Sequence, residues 1–463
     1  MTQNSTADLV AAQVGSDFPE QLDRLLRYIR QPSISATGEG IEEMCRLLAE
    51  DARALGGVAE IVPGDEYPVV LCRFDVGAPR TVIVHTMYDV AAVGEPEWVV
   101  EPFSATRMKW AGLGECIIGR GAEDTKSQVA MIYNVIAAYR AAGTPLPVNV
   151  ILVQEASELG SGSIGGFVRD HMSLLKAADV AWWPFISGLP NGTPVIYLGA
   201  KGLMTGKFRV TGGDWGAPTG TSIHGLHTNW IANPAHILIK ALASMKSDDD
   251  RDVTIPGFYG SYAGPTAPEV ALIDHLVEQY DPEPLLAALG VKRHKQDRLW
   301  DSIYDHCFKS EFNVSGLAAG VIIEGGHKVV IGHEAVASVD IRPVGQSIAE
   351  ISEAISDHLD AHFPEVKWEL QNSYTGDRVA LDSWPVQRML EAYSEMGLQP
   401  QVWPSMAAAI AVSLWTKDVG IPWIMGMPGH AGGKHGANEY IVVDGFRQSC
   451  EFGVRLLARL ATD

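Results

Sequence analysis

The sequence predicts an α/β protein that carries a smaller α+β domain as an insertion. Up to Lys201, short apolar strands alternate with amphipathic helices, which is typical of a partly parallel sheet covered by helices. Beyond Lys201 the pattern changes to strands of alternating polarity and a segment rich in Gly, Thr and Ser, and the α/β pattern resumes near Thr375. We therefore expect the larger domain at residues 1–203 and 374–463, and the insertion at 204–373.

Hydrophobic periodicity places the individual elements. Helices are predicted where apolar residues recur at helical spacing, at 18–30, 41–55, 129–138, 235–245, 348–362, 383–395 and 445–460. Strands are predicted at short apolar or alternating runs, at 59–62, 69–74, 81–85, 148–153, 180–183, 206–211 and 336–342. No internal repeat or low-complexity tract interrupts this order.

The composition is that of a globular protein. Apolar residues make up 46 % of the chain and charged residues 20 %. No run of about 18 apolar residues occurs, and the polar start lacks the features of a signal peptide, so we expect a cytoplasmic protein without a membrane partner. Five scattered cysteines predict reduced thiols rather than a cysteine metal site. The net charge of −21 argues against nucleic acid as a partner.

Three polar side chains from distant parts of the chain suggest a metal site. Asp124 lies in a loop between a predicted strand and a predicted helix, Glu158 follows another strand, and His435 lies in a glycine-rich loop. Each has an ordinary reading: Asp124 as a helix cap, Glu158 as a solvated loop acid, His435 as a surface histidine. Together, however, mixed carboxylate and imidazole ligands suit Zn²⁺, Mn²⁺ or Co²⁺.

The order of short motifs then points to a family. The chain resembles the zinc exopeptidases that include carnosinase, aminoacylase, glutamate carboxypeptidase, acetylornithine deacetylase and succinyl-diaminopimelate desuccinylase. Six blocks carry the resemblance in the family's order: 82–90 with 97–98 and 102–103, 119–126, 157–161, His224 with 233–234, 341–343, and 435–440. The resemblance implies a mixed-sheet, metallopeptidase-like catalytic domain with an inserted α+β lid that forms dimers.

The resemblance also implies a metal centre, but with half of its usual ligands. Members of the family usually hold two ions bridged by an aspartate. Asp124, Glu158 and His435 match the ligands of one ion, whereas Met87 and Phe185 occupy the positions of the His and Asp that hold the other. Because neither a thioether nor a benzyl group suits such an ion, we expect one divalent ion per chain, Mn²⁺ or Zn²⁺. His85, two residues before Met87 on the strand, is an alternative ligand.

A second departure concerns the general base. The family uses the first Glu of a Glu-Glu pair, and Ser157 stands there in this chain. A serine does not accept a proton at neutral pH without help. Glu155 and Asp89 are the alternative bases; otherwise the substrate supplies the acceptor or the site does not hydrolyse.

The lid contributes candidate substrate contacts. His224 resembles the lid histidine that reaches the partner's active site and stabilises an oxyanion, with His227 as the alternative. Arg342 resembles the arginine that binds a substrate carboxylate. Read without the resemblance, they are a surface histidine and a sheet-edge arginine. The resemblance implies a homodimer or higher homo-oligomer through the lid.

These features predict a metal-dependent hydrolase that cleaves a C–N bond of a small carboxylate-bearing molecule. If Met87, Trp182, Trp183 and Phe185 face the cavity, an aromatic substrate is favoured, as in the family's 5-nitroanthranilate aminohydrolase; Trp182 and Trp183 cannot both point the same way on a strand. One alternative is a dipeptidase or N-acyl amino acid amidohydrolase with a relocated base. Another is a non-catalytic scaffold on a decayed hydrolase fold.

Overall fold

The secondary structure follows the predicted order closely. A computed structural model describes residues 3–156, 164–189, 192–260, 262, 264–320 and 328–462. Up to residue 201 the elements are α1 (Gln3–Ser16), α2 (Phe18–Arg30), α3 (Ile41–Ala54), β1 (Val58–Val62), β2 (Val69–Phe74), β3 (Thr81–Met87), β4 (Thr106–Lys109), β5 (Glu115–Ile118), α4 (Lys126–Ala141), β6 (Asn149–Glu155), α5 (Ile164–Asp170), α6 (Met172–Leu175), β7 (Val180–Ile186), β8 (Val195–Tyr197) and β9 (Gly199–Lys201). Within this described part of the chain, no helix is long and apolar enough to cross a membrane.

The remaining elements form the insertion and the return to the larger domain. Between 203 and 374 they are β10 (Leu203–Thr211), β11 (Ile223–His224), a 3-10 helix (Gly225–His227), α7 (Pro234–Ser244), α8 (Ala267–Gln279), α9 (Glu283–Ala288), α10 (Leu299–Phe308), β12 (Glu311–Ala319), β13 (Val330–Ile331), β14 (Glu334–Arg342), α11 (Ile348–His362) and β15 (Val366–Tyr374). After them come β16 (Asp377–Arg378), α12 (Trp384–Glu395), β17 (Gln401–Trp403), β18 (Met406–Ala409), a π-helical turn (Leu414–Val419), β19 (Trp423–Met427), β20 (Ala431–Gly432), β21 (Tyr440–Val442) and α13 (Val443–Leu460).

The main sheet is partly parallel, as predicted. Its strand order is β1-β2-β6-β3-β7-β19, in which β6, β3, β7 and β19 run parallel to one another and β2 runs antiparallel to both of its neighbours, β1 and β6. Helices cover both faces, so the central strands read as continuous apolar runs with hardly an exposed residue. The carboxyl ends of β3, β6 and β7 therefore meet at one edge of the sheet.

Helix α4 is the central helix of one face. Nearly all of its side chains are buried, because α13, α2 and α1 surround it on the sides that the sheet does not cover. Helix α1 was not predicted, since its segment is polar overall. It forms because Val10 and Val14 are fully buried in the same core as α4 and α13.

The strand that precedes Asp124 does not belong to the main sheet. β5 lies in a separate antiparallel sheet of order β20-β21-β5-β4, in which Ile118 pairs with Tyr440. Asp124 follows a strand, as predicted, but that strand lies outside the main α/β sheet. The small sheet instead brings the loop after β5 next to the loop between β20 and β21.

The insertion contains a four-stranded antiparallel sheet of order β12-β14-β10-β15. β10 and β14 alternate buried and half-buried residues because α7 and α11 pack on one face only. Helices α8 and α10 pack elsewhere: Ile273 and Cys307 share a core with Val195 and Trp403 of β8 and β17. Part of the range 204–373 thus packs against strands of the larger domain, and the predicted domain limits stay a prediction.

Candidate active site

A cavity of about 440 Å³ opens at the carboxyl ends of the parallel strands. Met87 ends β3, Glu155 ends β6, and Phe185 lies next to the end of β7, and all three line the cavity. Asp124 and His435 reach the same cavity from the two loops that the small sheet brings together. This edge of an α/β sheet is where ligands bind in open folds.

Two of the three predicted metal ligands come together here. His435 Nε2 lies 3.5 Å from Asp124 Oδ2. Asp124 is buried, whereas the His435 side chain is 53 % exposed and its φ of +59° is uncommon for a residue other than glycine. Glu158 and Ser157 lie outside the described residues. Among the residues that are described, no group of three or more His, Cys, Asp or Glu is placed to hold a metal ion.

A buried carboxylate organises the loop that carries Asp124. Glu439 is fully buried, and it accepts hydrogen bonds from the backbone N–H groups of Gly121, Glu123 and Asp124 at 2.8–3.0 Å. Arg120 Nη1 donates to the same carboxylate at 2.9 Å. The sequence resemblance noted Glu439 in the closing block, but nothing in the sequence revealed Arg120 as its partner.

Arg120 connects this loop to the first block of the resemblance. Its Nη2 donates to Glu95 at 2.8 Å, and its guanidinium lies 5.4 Å from the Trp98 ring centroid. Although burial acts to raise the pKa of Glu95, the hydrogen bond from the Trp98 indole and backbone N–H groups lower it to about 2. Asn438 adds a second link, because its amide bonds the backbone of Glu97 and Val99.

His85 and Glu155 form a buried pair inside the cavity. His85 Nε2 lies 2.7 Å from Glu155 Oε1, and both side chains are at most 5 % exposed. Trp415 Nε1 donates to His85 Nδ1 at 3.2 Å. Both ring nitrogens of His85 are therefore engaged, and the alternative that His85 replaces the missing metal ligand is dropped.

The apolar wall was predicted in part. Met87, Phe185 and Trp183 line the cavity. Trp182 does not: it lies on the opposite face of β7, is fully buried against Phe452, and donates to the Gly426 carbonyl at 3.2 Å. The assignment of Trp182 to substrate binding was wrong, because successive side chains of a strand point to opposite faces.

Other parts of the cavity wall come from segments that the sequence analysis did not single out. The additional apolar and aromatic lining residues include Ile164, Tyr197, Tyr374, Met406, Ala408, Ala409, Ile410 and Ala411. The run of alanines at 407–409 next to Ile410 was a visible signal, but an apolar run alone does not reveal that it faces a ligand cavity.

Lys434 and Glu123 add charge to the rim. Lys434 Nζ lies 4.1 Å from the Phe185 ring centroid and 3.5 Å from Glu123 Oε1. Burial raises the pKa of the Glu123 carboxyl, while Lys434 acts in the opposite direction. Glu123 lines the cavity beside Asp124, and the sequence analysis did not single it out.

The remaining predicted residues do not line this cavity. Asp89 is fully buried outside it, so the structure does not support Asp89 as the base. Arg342 lines a neighbouring cavity of about 490 Å³, and its Nη1 donates to the Ala407 carbonyl at 3.4 Å. Arg342 is thus not among the residues that line the cavity of Asp124 and His435, and its contact with a substrate carboxylate stays a prediction.

The two lid histidines are on the outer surface of the insertion. His224 is exposed, and its Nδ1 accepts a hydrogen bond from the Leu226 backbone N–H at 3.1 Å. His227 Nδ1 accepts one from the indole of Trp230 at 3.0 Å. Neither reaches the cavity of its own chain.

Comparisons with known proteins agree with this architecture. The family model for peptidase family M20/M25/M40 matches residues 86–463. The Cys-Gly metallodipeptidase of Candida albicans is 27 % identical over 371 residues, which are 75 % of this chain and 74 % of that protein. An M20 family metallo-carboxypeptidase from Sulfolobus solfataricus superposes with a TM-score of 0.87 at 28 % identity, covering 96 % of this chain and 99 % of the other.

A third comparison supports the fold alone. Human carnosine dipeptidase 1 superposes with a TM-score of 0.78 at 19 % identity, covering 98 % of this chain and 99 % of the other. The resemblance inferred from the six sequence blocks is confirmed, as is the mixed-sheet, metallopeptidase-like fold. The chain belongs to peptidase family M20/M25/M40 and is a metal-dependent hydrolase of C–N bonds.

Proposed function

We propose that this protein hydrolyses the amide bond of small dipeptides or dipeptide-like molecules whose side chain beside the scissile bond is apolar. The observation that carries the proposal is the cavity in which Asp124 and His435 meet under a wall of apolar side chains. The relatives support a peptide substrate, since they include a Cys-Gly metallodipeptidase and a metallo-carboxypeptidase. They give no support to the aryl-amine substrate expected from the sequence, and we do not propose it further.

The donor set fits a divalent cation. Asp124 Oδ2 and His435 Nε2 are 3.5 Å apart and face one cavity, and a carboxylate with an imidazole suits Zn²⁺ or Mn²⁺. In the proposal Glu158 is the third ligand, and Met87 and Phe185 exclude a second ion. When bound, the ion would supply a Lewis acid for the scissile carbonyl and activate water for attack.

The chain's own residues prepare the site in three ways. The hydrogen bonds of Glu439 fix the loop that carries Asp124. The apolar walls hold an apolar side chain and exclude water around the scissile bond. Among the described residues, two carboxylates besides Asp124 line the cavity, namely Glu123 and Glu155, and either can accept the proton of the attacking water in place of a Glu at 157.

The lid assignments remain part of the proposal. His224 lies beside Leu226 and near Trp230, which are 66 % and 76 % exposed. Such large exposed side chains are suited to a contact between two copies of the chain, through which His224 would reach the partner's cavity. Light scattering on the purified protein tests this, and a monomer whose activity is unchanged in His224→Ala would contradict it.

Turnover and metal content together test the proposed activity. The purified protein is assayed with dipeptides of apolar and of charged side chains in the presence of Mn²⁺ or Zn²⁺, beside an Asp124→Asn control. We expect hydrolysis of the apolar dipeptides that is lost in the control. Absence of turnover for every dipeptide, in protein that holds the metal, would favour the non-catalytic alternative and overturn the proposal.

A further inference from the structure

One carboxylate oxygen of Glu155 has no hydrogen-bond partner in the part of the chain that the structure describes. The residue is only 3 % exposed, yet it lines the cavity. Oε1 is 2.7 Å from His85 Nε2, whereas Oε2 has no hydrogen-bond partner among the described residues. A buried acceptor without a donor is unfavourable for the folded protein. A donor supplied by a ligand would remove that cost.

His85 holds this carboxylate in place. Because Trp415 Nε1 donates to His85 Nδ1, the proton of the neutral ring is on Nε2, which donates to Glu155 Oε1. The imidazole is packed edge-on against Trp183 and Trp415, with centroid distances of 4.5 and 5.4 Å. His85 is therefore a positioning residue, which fixes Glu155 Oε1 and leaves Oε2, a buried atom of a residue that lines the cavity, without a donor among the described residues.

The walls near this oxygen are suited to a cation. Trp183, Phe185 and Tyr374 line the same cavity, and aromatic faces attract ammonium groups. An ammonium already lies on one of these rings, because Lys434 Nζ is 4.1 Å from the centroid of Phe185. A carboxylate beside aromatic rings in a largely apolar cavity selects a small organic cation over a neutral group.

We propose that Glu155 Oε2 binds the free ammonium group of the substrate, so that the enzyme prefers dipeptides with an unblocked amino terminus over their N-acylated forms. The inference rests on the proposed function, whose substrate class it narrows. It assigns Glu155 to substrate binding rather than to proton transfer, which leaves Glu123 as the carboxylate that accepts the proton.

A matched pair of substrates tests the preference without any mutation. Phe-Ala and N-acetyl-Phe-Ala share the scissile bond and the carboxylate and differ in the ammonium group. We expect kcat/KM of the wild-type protein to be at least tenfold higher for Phe-Ala. Equal values for the two substrates would overturn the inference and leave the proposed function intact.

The Glu155→Gln variant separates the two roles of the carboxylate. If Glu155 binds the ammonium group, the variant raises KM for Phe-Ala about ten- to hundredfold, as expected for the loss of one charge-assisted hydrogen bond. KM for N-acetyl-Phe-Ala then stays unchanged. A kcat that falls equally for both substrates would identify Glu155 as the proton acceptor and overturn the inference. Thermal unfolding of the variant, compared with Glu155→Asp, shows whether the fold is retained.

Direct binding supplies a readout that is independent of turnover. Titration calorimetry of the Asp124→Asn protein with the two compounds should show tighter binding of Phe-Ala, and the double variant Asp124→Asn/Glu155→Gln should lose that difference. If wild-type protein hydrolyses neither compound, the proposed function fails, while this titration still decides the ammonium site. Equal affinity of Asp124→Asn for both compounds would refute it.

Discussion

Glu439 offers the sharpest test of how the site is built, through the substitution Glu439→Gln. The carboxylate is fully buried and accepts four hydrogen bonds, from Arg120 Nη1 and the backbone N–H groups of Gly121, Glu123 and Asp124. An amide keeps the shape but replaces one oxygen by a donor. Either oxygen serves two of these four donors, so at least two hydrogen bonds are lost.

The magnitude follows from those two bonds. Hydrogen bonds to a charged acceptor contribute about 1.5–3 kcal/mol each, and removing one partner of a buried ion pair costs about 3–5 kcal/mol. Two such bonds correspond to about 3–6 kcal/mol and the broken ion pair to about 3–5 kcal/mol, so we expect the free energy of unfolding to fall by about 3–5 kcal/mol, the range common to both routes. Because the same donors fix the Asp124 backbone, metal affinity should fall in parallel.

Glu95→Gln is the matched control, since Glu95 pairs with the other side of Arg120 at 2.8 Å but its side chain is 27 % exposed. Because solvent reaches Glu95 but not Glu439, water can solvate the Glu95 site in the variant, and the loss of stability should be smaller than in Glu439→Gln. Urea denaturation of the metal-free variants measures both values. Equal losses for the two variants would refute the argument that burial gives Glu439 its weight.

Three further predictions follow from burial and strand geometry. Burial lowers the pKa of Lys126 from 10.5 to about 7, although Glu439 and Asp89 act to raise it. Above pH 7 the unfolded chain therefore binds more protons than the folded protein, so the free energy of unfolding rises with pH. Lys126→Met should flatten this rise, as measured by urea denaturation between pH 7 and 9. An unchanged slope would contradict the assignment. Trp182→Ala should lower the free energy of unfolding by about 3–5 kcal/mol and leave KM for an apolar dipeptide unchanged. Trp183→Ala, in contrast, should raise that KM. A higher KM in Trp182→Ala would contradict the placement of the two indoles. Elemental analysis should find one metal ion per chain in the wild type and in Met87→Leu, and two in the double variant Met87→His/Phe185→Asp. Two ions per chain in the wild type would disprove the exclusion of the second metal.

Much of the fold could be predicted because its elements are locally encoded. The boundaries of α2 and α11 match the predicted helices 18–30 and 348–362, whose apolar residues recur on one face. Helix α1 was missed because a polar segment becomes helical only when a few side chains, such as Val10 and Val14, find a core. The packing of α8 and α10 against β8 and β17 likewise depends on contacts that no local pattern records.

The residues of the candidate site also fall into two groups, those that the sequence indicated and those that only the structure revealed. Asp124, His435, Met87 and Phe185 were found from sequence, since the motif blocks fix their order and each lies at the end of an element. His85 illustrates the limit: its two partners are 70 and 330 residues away in the chain, and only their contacts show that both nitrogens are engaged.

By itself the sequence determined the order of the elements and the membership of the family, and it predicted that Met87 and Phe185 stand where two of the family's usual metal ligands would. Only the tertiary structure decided that Trp183 rather than Trp182 faces the cavity, and that Glu155 lies within it, held by His85. The physical reason is that local periodicity sets which side chains share a face. Which face borders the cavity depends on what packs against the sheet from distant parts of the chain.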